Sequence, residues 1–203
     1  YVSATGSGGT LAAGDYLKQL FPQIKIAAAE ALQCPTLLRN GFGGHRIEGI
    51  GDKHVPWVHN VRNTDMILAI DDNDCMDILR LFNEESGRKL LMEKGVPAET
   101  IDQLELFGIS GIGNVLGAVK MAKYFEYDEN DVIFTVLTDS SEMYLSRIQE
   151  MHESAGKFDK TEAAVVYAKS LMGQNINDAF ELSYYDRLRV HNLKYYTWIE
   201  QQG

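Results

Sequence analysis

Several things are scarce in this sequence, and each shortage excludes something. Only two cysteines occur, Cys34 and Cys75, far apart and in no CxxC spacing. That excludes a disulfide framework and fits a reducing, cytoplasmic setting. Proline is limited to four residues, so no proline-rich linker divides the chain. No apolar run approaches the roughly 20 residues a membrane-spanning helix needs, and no signal-peptide pattern precedes the first apolar segment. The sequence therefore predicts no membrane partner. Basic residues are outnumbered, 19 against 29 acidic, for a net charge of −10. A nucleic-acid backbone is repelled by that balance, so no nucleic-acid partner is expected. A local anion site survives it, because backbone N–H groups at a helix start can carry the binding. His45, His54 and His59 share one loop, but no cysteine or paired carboxylate completes a set at zinc-ligand spacing, so no metal is expected. No serine–histidine–acid set suggests a hydrolase.

What the chain does have is hydrophobic content, 45 %, enough for a substantial core. Its apolar pattern alternates between two periods. Residues 2–5, 24–30, 66–70 and 132–138 read as strands, the last (VIFTVLT) as the strongest. Residues 9–21 and 110–124 read as helices, and Asp71 with Asp74 marks a helix start. Residues 84–104 read as helical pieces broken at Gly95 and Pro97, and Asp139 with Glu142 as a capping box. This alternation predicts an α/β fold: a parallel twisted sheet with helices on both faces. From Lys157 onward the pattern is helical, and its last stretch, SYYDRLRVHNLKYYTWIEQQ, is rich in tyrosine. Aromatics of that kind predict packing against the same domain or a sister subunit. The division expected is 1–155 as an α/β domain and 156–203 as a helical extension.

The first segment ends in GSGGT, residues 6–10. A strand, a glycine-rich turn and a helix gather free N–H groups at the positive end of a helix dipole. Glycines let the backbone approach a phosphate without a Cβ in the way. Ser7 and Thr10 can donate hydroxyl bonds to the same oxygens. No Gly-Lys-Ser/Thr follows, so a Walker loop is excluded. The dinucleotide fingerprint half fits: Gly6 and Gly8 match, Leu11 replaces the third glycine, and Glu30 stands where a ribose-binding acid would be. A nicotinamide-dinucleotide domain is thus one alternative, and a non-catalytic dimerisation fragment another.

Four stretches in order narrow the choice: GSGGT at 6–10, HRIEGIG at 45–51, GISGIGN at 108–114 and VLTDSSEMYLS at 136–146. Together they resemble the later half of the cysteine synthase and cystathionine β-synthase family, pyridoxal-phosphate enzymes of the tryptophan-synthase β-like fold (fold type II). The resemblance covers residues 2–148. It implies that Gly6, Ser7, Gly8, Gly9 and Thr10 cup the cofactor phosphate, that Ser110 bonds the pyridine nitrogen, and that Gly49, Ile50 and Gly51 line the substrate side of the ring. From the residues themselves, Asp52 and His54 either edge the entrance, where an imidazole can serve as acid or base, or His54 is a plain loop histidine; the two readings stand equal. Ser110, at a helix start, can equally be an N-cap. A neutral serine partner moderates the electron sink, which suits β-elimination or β-replacement on a small amino acid (cysteine, serine or an O-acylserine) through an aminoacrylate.

The family's Schiff-base lysine lies before its phosphate loop. Lys18, Lys120 and Lys123 fall instead on amphipathic helices, where a solvated face is expected. The resemblance therefore implies a lyase or transferase whose lysine lies in a missing amino-terminal half or a complementary subunit, with this chain inactive alone and a homodimer as the assembly. The chain departs from the family pattern at Gly111, Ile112 and Asp52 to His54, in an insertion at 86–105, and after residue 150.

Overall fold

In the computed structural model, which describes residues 1–202, β1 (Val2–Ala4) leads through the glycine turn into α1 (Gly9–Leu20) and back into β2 (Ala27–Ala31). After α2 (Thr36–Arg39) and a long loop come β3 (Met66–Ile70), α3 (Asp72–Asn83), α4 (Glu85–Glu93), α5 (Ala98–Gln103) and α6 (Ile109–Phe125). Then follow α7 (Leu145–Ala155), α8 (Lys160–Val166) with a wider π-helical turn to Met172, β4 (Ala179–Glu181) and α9 (Tyr184–Tyr195). The sheet runs β1-β2-β3-β4. β1, β2 and β3 are parallel, with Ala27 opposite Met66 and Ala31 opposite Ile70, and β4 joins antiparallel to β3. The chain is α/β, with a mainly parallel sheet and helices on both sides.

Side-chain alternation makes that layering. Ala27, Ala29 and Ala31 with Met66, Leu68 and Ile70 face one core, which α3 and α6 cover. Ala28 and Ile67 face the other, shared with Leu11 of α1, Leu37 of α2 and Val190 of α9. Both faces are buried, so β3 reads as a continuous apolar run, as parallel strands do. Each buried Leu or Ile contributes about 1.5–3 kcal/mol of transfer free energy. The alanines of β2 let helices come close: a Cβ on Gly117 of α6 would sit 3.1 Å from Val2 and 3.7 Å from Ala29. Asp71 caps α3 by accepting the Asn73 N–H, and Asp72 and Asp74 in its first turn complement the helix dipole.

Several sequence expectations require correction. Residues 132–138, read as the strongest strand, form none. They run beside β1, and the Val2 N–H donates to Phe134 O at 3.0 Å. The next rung is missing because the Asn114 amide occupies it, accepting from Ala4 N–H at 2.8 Å and donating to Val136 O at 2.9 Å. Thr135 takes the Val2 carbonyl with its hydroxyl at 2.8 Å. The expected capping box is also absent: Asp139 accepts from the Tyr144 hydroxyl, and α7 starts only at Leu145. A capping box forms instead at Ser183 and Asp186, opening α9. β2 starts three residues later than the reading of 24–30, because Ile26 N–H is bonded to the Asp65 carboxylate.

The extension beyond residue 156 is not purely helical, since it supplies β4. Lys120 is not on a solvated face, whereas Lys123 is exposed as expected. They donate to the Asn177 and Gln174 carbonyls of that extension, Lys120 at 2.8 Å, and Lys120 is buried. Lys18 is paired with Asp65 at 2.6 Å. The tail tyrosines Tyr184, Tyr185, Tyr195 and Tyr196 are exposed rather than packed on the chain's own core.

Candidate functional site

The glycine turn sits at the carboxyl end of β1. Gly8 caps α1 with φ +87°, a left-handed conformation that favours glycine. A Cβ there would meet Pro56 at 2.9 Å, and one at Gly6 would meet the Gly49 carbonyl at 2.9 Å. At Gly9 a Cβ would meet nothing within 4 Å. The turn is thus packed behind and open in front. No side chain caps α1 and no acidic residue occupies its first turn. The first intrahelical bond runs from Ala12 N–H to Gly8 O at 2.9 Å, so the N–H groups of Gly9, Thr10 and Leu11 have no helical acceptor. Thr10 Oγ1 accepts from Ser3 Oγ at 2.9 Å, which leaves its own proton to donate. Ser7 is exposed. Uncapped amides, two hydroxyls and a helix dipole make a cradle suited to a tetrahedral oxyanion.

The 45–54 loop crosses this cradle. Gly51 N–H donates to Thr5 O at 2.6 Å, and Gly49 and Gly51 have φ of +81° and +80°. Ile50 packs on the sheet core. Asp52 Oδ1 accepts from the His54 N–H and lies 3.0 Å from His54 Nδ1. Thr36 Oγ1 fastens the Asp52 carbonyl at 2.7 Å. The residues expected on the substrate side therefore lie beside the cradle. Sequence reasoning did not find Trp198 here. Its indole N–H donates to Val55 O at 2.8 Å, and its ring centroid is 5.2 Å from that of His54. The one signal was its place in the aromatic tail.

Ser110 is the second residue of α6. The helix N-cap is Gly108, with no side-chain cap, so the serine is not spent as one. Its Oγ lies 2.9 Å from Thr138 Oγ1. Asn114, one turn on along the same helix face, bonds Ala4 at the end of β1. The Ser110 end of α6 thus projects past the strand edge where the cradle begins.

Glu30 is not offered to any ligand. It is buried and accepts the Leu37 and Leu38 N–H groups at 2.9 and 2.8 Å, capping α2 from a distance. Burial pushes its carboxyl up to about 7, against the pull of those N–H groups. A ribose-binding acid must face outward, so the dinucleotide alternative loses its second element. His59 is buried too. Desolvation first, and then Lys194, hold its pKa down to about 4. Among the described residues, no three His, Cys, Asp or Glu side chains converge as metal ligands.

No protein-family model matches the chain. Among curated proteins it is 29 % identical over 147 residues to cysteine synthase B of Campylobacter jejuni, covering 72 % of this chain and 42 % of that one. It is 29 % identical to cysteine synthase of Staphylococcus aureus, covering 72 % and 41 %. The chain is cysteine synthase-like. Solved structures agree. A hydrogen sulfide-producing enzyme from Fusobacterium nucleatum superposes with TM-score 0.56 at 28 % identity, covering 71 % of this chain and 44 % of that one. O-ureido-L-serine synthase gives 0.53 at 26 %, covering 71 % and 40 %. The cysteine synthase-like chain spans about two-fifths of the length of the curated relatives it matches.

Proposed function

We propose that this chain supplies the phosphate-binding and ring-edge part of a pyridoxal-phosphate site for β-elimination or β-replacement on a small amino acid of the cysteine, serine or O-acylserine type. The observation that carries the reading is the open, uncapped amide cradle at Gly8 to Leu11, closed behind by Pro56 and Gly49. Gly6, Ser7, Gly8, Gly9 and Thr10 hold the phosphate through backbone N–H and hydroxyl groups. Ser110 presents a neutral hydroxyl to the ring nitrogen. When bound, pyridoxal phosphate withdraws electrons from the amino acid's Cα, which acidifies its proton and lets a β-substituent leave.

Gly49, Ile50 and Gly51 form the wall beside the ring and exclude water there. Asp52 accepts from His54 Nδ1–H, so Nε2 carries the lone pair and can take or return a proton at the entrance. The Schiff-base lysine comes from a segment or subunit outside this chain, and the active assembly is a cytoplasmic homodimer of the completed enzyme. Residues 1–155 are the cofactor-binding unit, and 156–203 are its extension.

Titration of the purified chain with pyridoxal 5′-phosphate and with pyridoxal, followed by absorbance, tests the reading. The phosphorylated form should bind at least about tenfold more tightly, the equivalent of one charge-assisted hydrogen bond of roughly 1.5–3 kcal/mol. Borohydride should fix no single lysine. Equal binding of both forms overturns the cradle assignment, and stoichiometric labelling of one lysine overturns the claim that the lysine lies elsewhere.

A further inference from the structure

A second site lies on the tail side of the 55–62 loop, adjoining the cradle through Val58, which lines it and would lie 3.1 Å from a Cβ on Gly8; it does not rest on the reading above. A groove of about 700 Å³ runs between the 58–62 loop and α9. Arg62, Arg187, His191 and Lys194 line it, and no aspartate or glutamate does. In a chain of net charge −10 this is a local inversion of sign. A cleft lined by one sign of charge focuses its field on an opposite charge. Arg187 is partly spent, donating from Nε to Thr64 O at 2.8 Å and from Nη2 to Asp65 at 3.2 Å. Lys194 donates one N–H to His59 O at 2.9 Å. Arg62 is exposed and pairs with no carboxylate among the described residues. Among the described residues, the remaining side-chain N–H groups of these cations make no hydrogen bond.

Val58 and Leu188 give the groove an apolar side. His59, 2 % exposed, also lines it and leaves its Nδ1 with no partner. A buried polar atom left so calls for an explanation. The volume and the mix of apolar wall with a few polar groups match a small-molecule site, and arginine forks suit carboxylates and phosphates.

We propose that this groove binds a small organic anion, a carboxylate or phosphate monoester carried on an apolar body. Both anions share the charge and the acceptor oxygens, so the experiment separates them. The full chain, isotopically labelled, is titrated with 3-phenylpropionate, phenyl phosphate and the neutral 3-phenylpropanamide. NMR follows the His59 and His191 imidazoles and the Gly8 and Gly9 amides. At least one anion should shift the two imidazoles, bind about tenfold more tightly than the amide, and weaken as salt is raised. Arg62→Gln should weaken the anion about fivefold without changing the melting temperature. The proposal is overturned by the amide binding as well as the anions, by shifts confined to Gly8 and Gly9, or by no binding of either anion up to about 10 mM. Shifts of His191 that depend on protein concentration alone also overturn it, by assigning the groove to a second copy.

Discussion

The backbone N–H of Ala4 donates to the side-chain oxygen of Asn114 at 2.8 Å, across 110 residues of sequence. The same amide donates onward to Val136 O at 2.9 Å, so one side chain stands in for a rung of sheet and ties α6 to β1. Asn114 is 3 % exposed, so an apolar substitute leaves a buried donor and a buried acceptor unpaired. Asn114→Leu should cost about 2–6 kcal/mol in urea unfolding, from roughly 1–3 kcal/mol for each of the two orphaned groups. It should also raise the hydrogen-exchange rate of the Ala4 amide. A loss below about 0.5 kcal/mol would mean that residues 132–138 close onto β1 as a true strand.

Two neighbouring glycines should separate stability from binding. Gly8→Ala forces a Cβ onto a φ of +87° and to 2.9 Å from Pro56, and should destabilise by about 1–3 kcal/mol. Gly9→Ala meets nothing within 4 Å and should leave stability within about 0.5 kcal/mol. Its methyl, however, enters the space in front of the uncapped amides, so phosphate-dependent binding should fall about tenfold. Paired thermal melts and ligand titrations read both effects.

Glu30 and His59 should give opposite pH slopes. The Glu30 carboxyl is raised from 4.5 to about 7, so the folded state holds its proton more firmly than the unfolded state. Its contribution is present below pH 4.5 and is lost as pH rises through about 7. His59 is lowered from 6.5 to about 4. Its neutral form contributes stability above pH 6.5, which is lost as pH falls toward 4. Between those limits each slope is about 1.4 kcal/mol per pH unit at most, and the two oppose. His59→Gln should therefore leave stability falling as pH rises, and Glu30→Gln should leave it rising. Denaturant midpoints across pH 4–7 for the two variants measure this, and parallel profiles would refute the assignment of either group.

Trp198 holds the entrance loop from the tail. Trp198→Ala frees the Val55 carbonyl and removes the ring beside His54. The expected result is faster amide exchange over residues 51–57 and a changed His54 ring chemical shift as the indole's ring current is removed, with about 1–2 kcal/mol of lost stability. Unchanged exchange in that loop would show that Thr36 and Thr5 suffice to hold it.

Much of this was legible in the residues. MILAI at 66–70 could only be a buried strand, and the structure has it with those bounds. GSGGT, between a short apolar segment and a helical period, read as a turn into a helix, and the structure starts α1 at Gly9. Asp71 marked its helix through a side-chain oxygen two residues from its N–H partner. These are local facts, decided by period, capping chemistry and backbone freedom within a few residues. VIFTVLT failed as a strand for a reason no window around it contains: the competing amide comes from residue 114.

The same holds for β4, three residues whose pairing with β3 depends on where the tail is carried by Lys120 and Lys123. Glu30 looked like a ligand-facing acid until its carboxylate was seen capping α2. Trp198 and His54 are 144 residues apart, so no spacing rule could join them. Strand and helix identity follow from short-range periodicity, which is written along the chain. Which polar group satisfies which partner is a competition among distant donors and acceptors, and only the packed structure brings those competitors within hydrogen-bond reach.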